Sequence, residues 1–287
     1  MTPPTSTPVT PNSRVALVTG ANSGIGRVTA VELALRGYHV FLACRDAGKT
    51  AEVLDEIAQR SGGTARAEFI ALDLGDLDSV RQCAQAFNAR QLPLHLLVNN
   101  AGLAGQKGFT KSGFELAFGV CHVGHFLLTR LLLDRLKAAA PSRVVVVASR
   151  AHRHAKGIDF AAVRQPSRSR GGLMDYSVAK LANILFAAEL GRRMAGTGVT
   201  TYALHPGVVG TGIWRVLPKP LDALVKLFMI DSEEGAKTTL YCATSDAVAQ
   251  QSGLYYVKSA VATPTPVARD AALAQALWTA SEVWTKD

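Results

Sequence analysis

Tyr176 and Lys180 stand four residues apart in a stretch of helical periodicity, Met174–Met194, so both side chains leave one face of one helix. Ser149 follows a β-branched run, Arg143–Ala148, that reads as a buried strand. A phenol has an ordinary pKa of about 10, too high for ready proton exchange at neutral pH. A neighbouring ammonium favours its ionised form. A phenol brought toward neutrality can pass a proton to or from a carbonyl or alcohol oxygen. Ser149 is placed to hydrogen-bond that same oxygen. Taken alone, a Tyr-x-x-x-Lys pair is usually decoration on a helix surface. It carries chemistry when the chain also holds a site for a hydride carrier.

Such a site lies near the N-terminus. Thr19-Gly20-Ala21-Asn22-Ser23-Gly24-Ile25-Gly26 follows the apolar run Val15–Thr19 and opens the helical stretch Ile25–Leu35. Gly20 permits the tight turn, Gly24 lets the backbone approach a pyrophosphate, and Gly26 lets helix pack closely on strand. The helix N-terminus offers free N–H groups and a positive dipole to phosphates. A lone glycine triplet is weak evidence, but the strand–turn–helix context makes it strong. The second strand, His39–Ala43, leads into Cys44-Arg45-Asp46. An acidic residue in first place would accept from a ribose 2′-OH. Arg45 instead suits a 2′-phosphate and selects NADP(H), with Arg27 able to assist. Asp73, at the end of the third strand, can accept from the adenine amino group, with Leu74 beside it. Asn100, Ala101 and Gly102 end the fourth strand, where small residues let cofactor and backbone meet. A cationic nicotinamide beside Tyr176 would add to the effect of the ammonium.

The elements between these motifs alternate. Strands read at Glu68–Leu72, Leu94–Val98, Val199–Leu204 and Leu254–Val257. Helices read at Ala47–Arg60, Leu77–Phe87, Gly113–Leu136, Glu233–Thr244 and Ala268–Trp284. This predicts an α/β fold, a single-domain doubly wound parallel sheet (Rossmann) with helices on both faces. Residues 1–13 are Pro/Thr-rich and read as a disordered tail before a domain spanning 14–287. The 287 residues are 48% hydrophobic, enough for one large core, and carry a net charge of +9. Much of that excess lies in Arg150, Arg153, Lys156, Arg164, Arg168 and Arg170. A solvated loop is the simplest reading, because nucleic-acid binding would want interleaved aromatics and this stretch has only Phe160. Cys44, Cys83, Cys121 and Cys242 form no CxxC pair, so no metal site is expected, and free thiols suit a reducing cytoplasm. No apolar run approaches the roughly 18 residues of a spanning helix.

The motifs together resemble the short-chain dehydrogenase/reductase superfamily, in its retinol-dehydrogenase-like branch. They are Thr19–Gly26 (TGANSGIG), Ala43–Asp46 (ACRD), Leu72–Leu74 (LDL), Leu97–Gly102 (LVNNAG) and Phe118–Thr129 (FGVCHVGHFLLT). Arg143–His152 (RVVVVASRAH), Tyr176–Phe186 (YSVAKLANILF), His205–Thr211 (HPGVVGT), Glu233–Ala236 (EEGA) and Leu277-Trp278 continue the match. The resemblance implies an NADP(H)-dependent alcohol/carbonyl oxidoreductase with a lipophilic small-molecule substrate. It implies that Ser149, Tyr176 and Lys180 are catalytic, and that Pro206, Gly207, Val208 and Thr211 hold the nicotinamide end. It also implies a substrate lid near 208–230 and a homodimer through the two long helices, which the C-terminal tail could block. The apolar lid, with Arg215, Lys219 and Lys226, could instead lie on a membrane surface.

One position departs from the pattern. Where the family reads like FGVNHLGHF, with Asn as fourth catalytic residue, this chain has Cys121. The Asn shapes a helix kink and positions a water that links the Lys to solvent. A thiol is a poorer donor and acceptor than a carboxamide, although the backbone carbonyl of residue 121 could still hold the water. Two outcomes follow: slower hydride transfer, or altered chemistry such as dehydration, isomerisation or cyclisation in secondary metabolism. His122 and His125, flanking it, are read as packing residues.

Overall fold

The computed structural model describes residues 14–167, 169–207 and 231–286. The expected tail (1–13) and lid (208–230), with Val208 and Thr211, lie outside the described residues. Seven parallel strands form one sheet: β1 (Val15–Thr19), β2 (His39–Cys44), β3 (Ala67–Ala71), β4 (Leu96–Asn99), β5 (Ser142–Val147), β6 (Val199–His205) and β7 (Leu254–Val257). A two-residue strand, β8 (Ala260–Val261), adds antiparallel to β7. The order is β3-β2-β1-β4-β5-β6-β7-β8. From β1 the chain first builds outward to β2 and β3, then returns to β4 on the other side. The connections therefore diverge between β1 and β4, which opens a crevice at the carboxyl ends of the strands.

Strand residues alternate between two cores, as the pleat requires. Ala16, Val18, Val40 and Leu42 face α1 (Gly24–Leu35), α2 (Ala47–Arg60) and the helix Ser232–Thr244, here α6. Val15, Leu17, Phe41 and Ala43 face the opposite layer. That layer holds α3 (Leu77–Asn88), α4 (Leu116–Ala138), α5 (Leu173–Arg193) and α7 (Ala271–Trp284). Strands covered on both faces explain the near-continuous apolar runs in the sequence.

Side-chain caps set two of the shifted helix starts. α4 starts at Leu116 rather than Gly113 because Glu115 caps it, accepting from Ala117 N at 3.1 Å and Phe118 N at 2.8 Å. α7 starts at Ala271 rather than Ala268 because Asp270 accepts from Leu273 N at 3.0 Å, after a 3₁₀ turn over Pro266–Arg269. β4 starts at Leu96 rather than Leu94, whose N–H turns to Arg135 O.

Contrary to the sequence reading, α4 is long and apolar enough to cross a membrane by length and composition. Its apolar window is 72% buried inside the protein, as in a core helix. α7 lies along α5, the helix expected at a homodimer interface. Trp278 stacks on Phe186 and meets Phe126 edge-on.

Candidate active site

The glycine turn is built as expected. Gly20 takes a positive φ of 63° while its N–H reaches Ala43 O at 2.9 Å. A Cβ at Gly26 would lie 2.2 Å from Gly20 O and 2.4 Å from Asn100 Nδ2, so helix and turn meet at a distance only glycine allows. Asn100 Nδ2 donates to Thr19 O at 2.8 Å. Thr19 Oγ1 accepts from the N–H groups of Asn100 (2.9 Å) and Ala101 (3.0 Å). The ends of β1 and β4 are thereby tied across the crevice.

The residues here fit a dinucleotide. Ser23, the exposed N-cap of α1, makes no capping bond with its side chain, and no acid sits in the first turn, so the helix start stays open to phosphate. Asn22 is half-buried beside it, and Ile25 is buried beneath. Arg45 is exposed, with no ion pair among the described residues. Arg27, expected to assist, is engaged with Glu56 at 2.7 Å. Asp73 has one oxygen committed to Gly75 N–H at 2.9 Å. Leu74 is buried, and its carbonyl lies where a Cβ on Gly124 would come within 2.4 Å, so it seats α4.

The proton-transfer residues meet at the carboxyl end of β5. Tyr176 is buried with the Ser149 side chain close to its phenol, and Ser149 Oγ accepts from Ala151 N at 3.1 Å. Lys180 Nζ donates to Val147 O at 2.7 Å and lies 5.5 Å from the centre of the Tyr176 ring. Gly102 closes this corner. A Cβ there would stand 3.3 Å from Cys121 Sγ and 3.4 Å from Lys180 Nζ. Pro206 and Gly207, half-buried, follow β6 at the same end of the sheet.

The chain's own groups oppose ionisation of Tyr176, before any nicotinamide charge is added. Burial lifts the Tyr176 phenol above its ordinary value, the nearby Cys121 adds to the rise, and the neighbouring Ser149 hydroxyl opposes it. Desolvation also pulls Lys180 below its ordinary value. The ammonium is bonded to the Val147 carbonyl at some distance from the phenol, so its effect does not offset the loss of water around the ring. The chain's own groups keep Tyr176 protonated.

Cys121 is fully buried in a π-turn, Gly119–Val123, where Gly124 N–H reaches back to Gly119 O. The helix distortion therefore forms with Cys in place of Asn. The thiol donates only a long bond, 3.8 Å, to Leu103 O. The Cys121 carbonyl has one lone pair taken by His125 Nδ1 at 3.0 Å. A carbonyl only accepts, so Nδ1 carries the proton and Nε2 accepts from Thr19 Oγ1 at 2.8 Å. His125 thus joins the π-turn to the cofactor-facing ends of β1 and β4, a role beyond packing. His122 bonds Ser281 of α7 at 2.9 Å.

Sequence reading also missed His152 and His205. His152 Nδ1 donates to Ser149 O at 2.7 Å, and Arg150 N–H donates to His205 Nδ1 at 3.3 Å. Their places in the RVVVVASRAH and HPGVVGT runs were the available signal.

Residues 14–221 match the pattern of the short chain dehydrogenase family. Human retinol dehydrogenase 11 is 43% identical over 271 residues, covering 93% of this chain and 84% of that protein. The crystal structure of an uncharacterised protein from Mycobacterium paratuberculosis is 35% identical with a TM-score of 0.76, covering 95% of this chain and 93% of that one. A protein from Beutenbergia cavernae, described as an NAD(P)-dependent gluconate 5-dehydrogenase and solved with NADP at low occupancy, is 27% identical with a TM-score of 0.69. That match covers 85% of this chain and 94% of the other.

Proposed function

Because the chain belongs to the short chain dehydrogenase family of alcohol/carbonyl oxidoreductases, we propose that it is the NADP(H)-dependent enzyme for a lipophilic small molecule, acting through Tyr176, Ser149 and Lys180. The observation that carries this reading is the convergence of Tyr176, Ser149 and Lys180 at the carboxyl end of β5, with Lys180 Nζ bonded to Val147 O, 5.5 Å from the Tyr176 ring and beside Gly102. When bound, the nicotinamide supplies or accepts the hydride. In the reducing direction Tyr176, protonated by virtue of its burial, donates to the substrate oxygen, and the phenol remains a far stronger acid than the alcohol formed. Ser149 orients that oxygen. The Lys180 ammonium has three donors and gives one to Val147 O, which leaves others for a ribose hydroxyl. Exposed Arg45 supports a 2′-phosphate. Leu173 and Met174, 46% and 48% exposed just before Tyr176, support a lipophilic substrate. So does the likeness to a retinol dehydrogenase. The same reading places the protein in the cytoplasm, where its four buried thiols stay reduced.

The test is loss of NADPH absorbance with a panel of lipophilic aldehydes and ketones, beside NADH and Tyr176→Phe. Turnover that prefers NADPH and disappears in Tyr176→Phe is the expected result. Tight NADPH binding with no oxidation across the panel would sink the proposal. A second reading, in which cofactor organises a pocket for dehydration, isomerisation or cyclisation, is favoured only by the Cys121 thiol at the Gly102–Lys180 corner. Transfer of isotope from labelled NADPH into product eliminates it.

A further inference from the structure

Ser149 sits on a short turn, and its hydroxyl works only if that turn is held still. The 3₁₀ segment Arg150–His154 follows it directly. Two buried imidazoles grip this segment from different sides. His152 is fully buried and donates Nδ1–H to Ser149 O at 2.7 Å. Its Nε2 accepts from Thr265 N–H at 3.4 Å, so the ring bridges the Ser149 carbonyl to the chain that follows β8. His205, the last residue of β6, accepts from Arg150 N–H at 3.3 Å through Nδ1. The next residues, Pro206 and Gly207, lead to the expected nicotinamide end. We infer that His152 and His205 are positioning residues, a two-imidazole clasp that sets Ser149 relative to the Pro206–Gly207 segment. The inference rests on the proposed function for its consequence and on the hydrogen bonds for its geometry.

The bonds fix both tautomers. His152 must carry its proton on Nδ1, because a carbonyl cannot donate. His205 must leave Nδ1 bare, because Arg150 N–H cannot accept, which puts its proton on Nε2. The surroundings keep both rings neutral. Desolvation lowers His152 and brings His205 down to about 4. Arg150 and Arg153 on the same turn act in that direction on His205, and Arg153 does so on His152. From β7 the ring of Tyr255 meets His152 edge-on at 5.3 Å. Protonation of either ring would remove an acceptor and loosen the clasp.

The test uses the full chain, with NADPH and decanal as probes. Wild-type turnover that Tyr176→Phe abolishes is the control for the reaction. His152→Ala and His205→Ala are expected to lower kcat by about a hundredfold, the scale of an ångström-size misplacement. NADPH affinity should stay within about twofold. An Asn side chain can offer an amide donor or acceptor where Nδ1 stood. His152→Asn and His205→Asn should therefore regain most of the loss, which a merely structural role would not predict. Alanine variants at full kcat overturn the inference, as do folded Asn variants that fail to recover. If wild type does not turn over decanal, the proposed function fails on that substrate. The clasp is then decided by ¹⁵N spectra of the imidazoles. His152 protonated on Nδ1 and His205 on Nε2 support it, and the opposite tautomers refute it.

Discussion

Acid should unfold this protein through its histidines before its carboxylates titrate. His122, His125 and His205 have folded pKa values of about 3, about 4 and about 4, each pushed down from 6.5 chiefly by burial. At pH 7 these rings are neutral in both folded and unfolded chains, so their full contribution is present. As pH falls below 6.5 the unfolded chain takes up protons that the folded chain refuses, and stability drops. Each ring costs about 1.4 kcal/mol per pH unit, so three together cost about 4. Between pH 6.5 and pH 5 the loss is about 5 kcal/mol, comparable with the whole stability of an ordinary domain. Glu115, held above its usual range by burial, binds its proton early and opposes the loss in part. The assay is urea unfolding by circular dichroism at half-unit steps from pH 7.5 to pH 5. His122→Gln removes one titrating ring while an amide can still reach Ser281, and its stability should fall less steeply with pH, by about 1.4 kcal/mol per unit. A flat profile between pH 7 and pH 5, or an unchanged slope in His122→Gln, would refute the reasoning.

Three further outcomes are expected. Gly26→Ala forces a methyl group to within 2.2 Å of Gly20 O, so NADPH affinity should fall by about tenfold or more by equilibrium fluorescence, on the scale of one misplaced phosphate cradle. Cys121→Asn replaces a weak thiol donor by a carboxamide within the existing π-turn, and kcat should rise several-fold while NADPH affinity holds; equal or lower kcat would show that the thiol is no handicap. Arg45→Asp should reverse the cofactor preference, raising KM for NADPH at least about tenfold and lowering that for NADH, because the new carboxylate repels a 2′-phosphate and accepts from a 2′-hydroxyl.

The sequence was most legible where local pattern and chemistry coincide. The glycine turn, the parallel strands and the Tyr176–Lys180 spacing depend on neighbours a few residues away, and the structure places them as read. Partners far along the chain were not legible. His125 bonds Thr19 across 106 residues, and His152 meets Thr265 across 113, so no periodicity announces either pair. The spacing shows a cation near Tyr176 but not how little water surrounds the phenol. β8 escaped notice because two residues cannot display an alternation.

The central position of β1 has a consequence for synthesis on the ribosome. β1 pairs with β2 on one side and with β4 on the other. Once β1, β2 and β3 have emerged, β1 still presents a bare, apolar edge that only β4 can cover. Until then the nascent half-domain is an adhesive template for any passing strand. A fragment ending before β4 should therefore be recovered as aggregate, even though it contains the whole glycine turn. The cross-strand tie from Thr19 to Asn100 and Ala101 is the point at which that vulnerability ends and the crevice first exists.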